Sequence, residues 1–81
     1  MKPTNEQIKD CIMFLKDKEK VSIREIAEYL GLKFGQASNV ADVLENNNII
    51  SKFEGNTHRD VIADKSFFES EFIFVNIDDF I

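Results

Sequence analysis

Ser22-Ile23-Arg24-Glu25-Ile26-Ala27-Glu28-Tyr29-Leu30-Gly31-Leu32 is the stretch on which the reading of this chain turns. It opens with a capping box. Ser22 can accept from the backbone three residues on, and Glu25 can reach back to the Ser22 amide. Ile23, Ile26, Ala27 and Leu30 then form one apolar stripe at helical spacing. Gly31 stands where a helix end favours a positive φ, and Leu32 tucks beneath the turn. A second, more polar helix is expected from about Gly35 to Asn46. Ala37, Ala41 and Leu44 face inward, flanked by Val40. The outward side is Gln36, Asn39, Val43 and parts of Ser38 and Asp42. Asn46-Asn47-Asn48 ends this helix, because asparagine tolerates the left-handed conformation. Ile49 to Phe53 and about Arg59 to Ala63 read as strands around a Gly55-Asn56 turn.

Upstream, Thr4-Asn5-Glu6-Gln7 is another capping box. Ile8, Cys11, Ile12 and Leu15 follow as a buried face, widened by Met13 and Phe14. Lys16 to Lys20 is a charged, solvated helix end and loop. Downstream, residues 66–71 offer a short helical turn and residues 72–77 a strand, since aromatic and β-branched residues favour strands. The expected organisation is a domain over residues 1–63 and an acidic, Phe-rich extension over residues 64–81.

Composition narrows the function classes. Eighty-one residues with 43% apolar content support one small core. The net charge is −5. Residues 64–81 hold one base against five acids, whereas residues 1–63 hold nine against ten. The acidity therefore belongs mainly to the extension. The near-neutral domain rules out strong non-specific attraction to phosphate, which needs many lysines and arginines. Specific binding survives if the few cations share a face.

The chain lacks an apolar leader and a run of about 18 apolar residues, so a cytoplasmic protein is expected. The single Cys11 is read as a buried filler thiol. His58 is the only histidine, and no nucleophile, metal-ligand set or glycine-rich phosphate loop accompanies it. No cofactor, no metal and no enzymatic activity are expected.

Residues 5 to 63 resemble a winged helix-turn-helix domain of small prokaryotic, archaeal or phage regulators. The residues that carry the resemblance are Ser22 to Leu32, Ala37 to Leu44 and Asn48-Ile49-Ile50, the last standing where many such regulators read Gly-Leu-Ile. The resemblance implies an α+β fold of three helices plus a two- or three-stranded wing. Z-alpha domains are set aside: Ser38 and Asp42 occupy their Asn and Tyr positions, and the wing lacks Pro and Trp.

The resemblance also implies a sequence-specific, DNA-binding transcriptional regulator. Lys33, Gln36, Ser38 and Asn39 would contact the major groove, and Lys52, Asn56, His58 and Arg59 would bring the wing to the backbone or minor groove. The alternative is a protein-interaction module, for example a phage or mobile-element factor that binds a host protein. Phe67, Phe68, Phe72 and Phe74 are expected to pack on the domain or to form the contact of a homodimer, because leaving such rings in water is costly.

Overall fold

The structure is a computed structural model that describes residues 3–55 and 57–69. It is an α+β arrangement of four helices and a two-stranded antiparallel sheet. In chain order these are α1 (Asn5–Leu15), β1 (Lys20–Ser22), α2 (Ile23–Leu30), α3 (Phe34–Asn46), β2 (His58–Asp60) and α4 (Lys65–Glu69).

Both expected capping boxes form. Thr4 Oγ1 accepts from Gln7 N at 3.1 Å while Gln7 Oε1 accepts from Thr4 N at 2.9 Å. The Ser22 and Glu25 pair repeats this at 3.1 and 2.9 Å. Each box satisfies two backbone donors that a helix start otherwise leaves open. At the other end of α2, Gly31 has φ +67° and its amide bonds to Ala27 O. A side chain at that φ would be strained, so the tight turn between α2 and α3 rests on this glycine. Asn47 closes α3, and Asn48 follows at φ 60°.

The core joins all the helices. Ile8, Cys11, Ile12 and Leu15 enter from α1 and Ile26 from α2. Ala37, Val40, Ala41, Val43 and Leu44 come from α3, and Val21, Ile49, Ile50 and Phe68 complete the cluster. The alanines keep α2 and α3 close, and that pair packs more extensively than any other two helices. Burial pushes the Cys11 thiol up to about 12, which fits the filler role.

Several expectations are corrected. The sequence places strands at Ile49 to Phe53 and about Arg59 to Ala63, paired with each other around a Gly55-Asn56 turn. Instead the regular sheet pairs Val21 with Arg59, between β1 and β2. Ile50 contributes only an isolated bridge to Val61, supported by Ser51 N to Asp60 O at 2.9 Å and Ile62 N to Ile49 O at 2.9 Å. Beyond Ser51 the ladder stops, because the Phe53 amide turns to the Glu45 carboxylate at 3.4 Å. The residues around position 20, expected in a solvated loop, supply β1 because Val21 is a core residue. Val21 and Ile26 flank the start of α2, both buried, and so fix how the chain enters the helix.

Val43, placed outward from the sequence, is 1% exposed. It lies about 60° around the helix from Val40, so the buried arc of α3 extends past Val40 on that side. Met13, expected to widen the buried face of α1, is 60% exposed. Its neighbour Phe14 does turn in part toward the core, and stacks on Tyr29 at 4.3 Å between ring centroids.

The helical turn expected near residues 66–71 appears as α4. Its Phe68 is 9% exposed and packs on the chain's own core. Phe67 meets it edge-on at 5.3 Å. Phe72, Phe74, the strand expected at 72–77 and Asn56 lie outside the described residues.

Candidate nucleic-acid interface

Three pieces of chain converge on one side of the molecule: the start of α2, the start of α3, and Phe53 with Thr57 and the first two residues of β2. Between them runs a groove of about 480 Å³. Ile23 and Arg24 line it from α2, Phe34 from α3, and Phe53, His58 and Arg59 from the third piece. Its lining is mainly apolar, and two of its rings are in water. Phe34 is 64% and Phe53 62% exposed. Two large exposed rings lining one groove are unusual unless something covers them.

The N-terminus of α3 differs from those of α1 and α2. Its N-cap is Lys33, which has no side-chain acceptor, and the first turn holds no acidic residue. Only Gln36 Oε1 reaches back, accepting from Lys33 N at 3.1 Å. The first amides of α3 therefore lack a side-chain cap while an exposed lysine stands beside them. Such an end attracts anions through its open donors and the helix dipole.

The other expected contact residues divide. Lys33 and Lys52 are exposed, while Gln36, Ser38 and Asn39 are half-buried on α3. Gln36 spends its amide oxygen on the Lys33 amide, so its NH₂ group is the half left for a ligand. His58 is half-exposed, with Nε2 3.4 Å from Glu25 Oε1 and Nδ1 3.1 Å from Thr57 Oγ1.

Arg59 is held differently from a surface anchor. It is 9% exposed, and Nη1 donates to Glu45 Oε1 at 3.0 Å. Its guanidinium also lies 5.6 Å from the Phe53 ring centroid. Arg59 thus ties β2 to the last turn of α3 and to residue 53. Glu45 is a partner that sequence reasoning missed. Its spacing from Arg59 carries no periodic signal, since the two meet only through tertiary folding.

Glu25 is the second acidic organiser. Its Oε2 accepts from Lys18 Nζ at 2.8 Å and its Oε1 from Ser22 N at 2.9 Å. The Lys18 hydrogen bond is the largest influence and holds the carboxyl below its ordinary range, assisted by the Ser22 backbone bond and opposed by partial burial. Arg24 lines the groove, and Lys33 and Lys52 are exposed residues that precede its lining residues Phe34 and Phe53 in the chain. Among the described residues Arg24 makes an exposed pair with Glu28 at 3.3 Å, which a competing anion can displace.

Among the described residues no group of three metal-ligating side chains occurs. No helix among them is long and apolar enough to cross a membrane. No family model and no curated protein matches the chain.

Proposed function

We propose that the chain is a winged helix-turn-helix DNA-binding regulator. In this reading α3 is the recognition helix and the segment from Lys52 to Asp60 is the wing. The observation that carries the proposal is the start of α3. An N-terminus without a side-chain cap or a first-turn acid, flanked by Lys33, projects beside Gln36, Ser38 and Asn39. Helices of this kind present their N-terminal residues to base edges. Gln36 and Asn39 are the amides offered to adenine, Gln36 through the NH₂ group left by its bond to the Lys33 amide. Arg24, Lys33 and Lys52 are the phosphate contacts. Arg59 holds the wing in place and does not itself anchor the backbone.

With about three phosphate contacts, affinity should fall with salt at a slope of roughly −3 in log–log form. Selection from random duplexes at low and moderate salt tests the reading. Enrichment of one sequence family supports it, and absence of enrichment at both salts removes it. A homodimer on a two-fold-symmetric site belongs to the same proposal, and sedimentation with and without the selected duplex tests it.

A second reading, a polypeptide-binding module, draws support from the apolar lining of the groove and from the Arg59–Glu45 pair, which takes one cation away from DNA. Salt separates the two. Binding through an apolar groove holds or strengthens as salt rises, whereas DNA binding weakens.

A further inference from the structure

We propose that Phe34 is a specificity-determining residue that packs its ring on the 5-methyl group of a thymine in the major groove. This inference rests on the DNA-binding reading above.

Phe34 is the first residue of α3, and its ring is 64% exposed. A phenylalanine contributes little to a helix start by itself. Ala37, Val40, Ala41, Val43 and Leu44 already supply the core of α3, so the ring is surplus to folding. Its position is where a recognition helix comes closest to base edges. Thymine is the one base that presents a methyl group in the major groove, and an apolar ring is a suitable contact for it.

The surroundings favour a base edge over a bare phosphate at this point. Ile23 and Phe53 share the groove with Phe34, so an apolar group is received by apolar walls. Arg24 lines the same groove and Lys33, exposed one residue before Phe34, is the nearest cation in the chain, so both can hold the backbone while the ring meets the base. Phe53 is the weaker candidate. Its ring faces the Arg59 guanidinium at 5.6 Å, and it lies outside the recognition helix.

The test uses the full chain and the duplex recovered by selection. Each thymine of the enriched sequence is replaced singly by deoxyuridine, which deletes the methyl group and keeps base pairing. Binding of the unaltered protein should weaken about fourfold at one or two positions, the value of one buried methyl-sized group. Phe34→Ala should bind more weakly overall and show equal affinity for thymine and deoxyuridine at those positions. Phe34→Leu should restore part of the discrimination. Thermal melting of both variants should match the parent, because the ring is mostly in water, and this separates recognition from folding.

Three results overturn the inference while leaving DNA binding intact. The first is equal affinity of the unaltered protein for every deoxyuridine duplex, and the second is a methyl penalty that persists in Phe34→Ala. The third is an affinity unchanged by Phe34→Ala, which would assign the groove to another occupant such as a polypeptide. Failure to enrich any duplex overturns the inference together with the functional reading.

Discussion

Replacing Arg59 by alanine should destabilise the fold, and this outcome separates two roles for the residue. Arg59 is 9% exposed and donates to Glu45 at 3.0 Å, with its guanidinium near the Phe53 ring. A hydrogen bond to a charged group contributes roughly 1.5–3 kcal/mol. Glu45 keeps 29% of its side-chain surface in water, so the stranded carboxylate can rehydrate in part. That places the loss near the lower half of the range, about 2 kcal/mol. For a domain of this size the melting temperature should fall by roughly 8–16 °C. The assay is thermal and urea denaturation of Arg59→Ala, Glu45→Ala and the double variant. The cycle should return a coupling energy of about 1 kcal/mol or more, because the two groups touch. Arg59→Lys should recover only part of the stability, since the planar fork is lost. A residue that merely anchored phosphate would behave in the opposite way. Its removal would leave the melting temperature within about 3 °C of the parent and reduce the salt slope by about one. That pattern, or a coupling energy near zero, would refute the assignment of Arg59 to the scaffold.

Gly31→Ala should cost about 1–2 kcal/mol, read by urea denaturation, because φ is +67° there and the space around it is open, leaving backbone strain as the whole cost. The Glu25 carboxyl is held below its ordinary range in the fold, so its contribution is present above the unfolded-state value. It should be lost as pH falls through the folded one, and Glu25→Gln should flatten the acid limb of a stability–pH curve. Cys11 is fully buried, with its thiol pushed up to about 12, so iodoacetamide at pH 8 should label it only at the rate of unfolding. Asn39→Ala should weaken binding to the selected duplex by about 1–3 kcal/mol and relax its sequence preference, and an equal loss on random duplex would show that Asn39 does not face the bases.

What the sequence made legible follows the range of each interaction. The two capping boxes and the Gly31 turn were readable because their partners lie within a few residues, where one spacing has one geometric meaning. Helix α3 was readable from its alanines and its run of asparagines. The sheet was misassigned because strand pairing is a tertiary choice. Ile49 and Ile50 looked like a strand from composition. They are instead core residues joined to the return segment by the isolated Ile50–Val61 bridge just past β2 and its flanking backbone bonds, while Val21, hidden behind a charged run, supplies the paired strand. Arg59 shows the same limit on the functional side. Read alone in a polar segment it is a cation for phosphate, and only folding brings Glu45 beside it. Phe34 carries no distinguishing signal in the sequence, and only its exposure at the head of α3 sets it apart. Collecting polar residues at helical spacing therefore does not define the proposed recognition surface: of its basic candidates Arg59 is buried against Glu45, and the exposed ring at the head of α3 is the apolar Phe34.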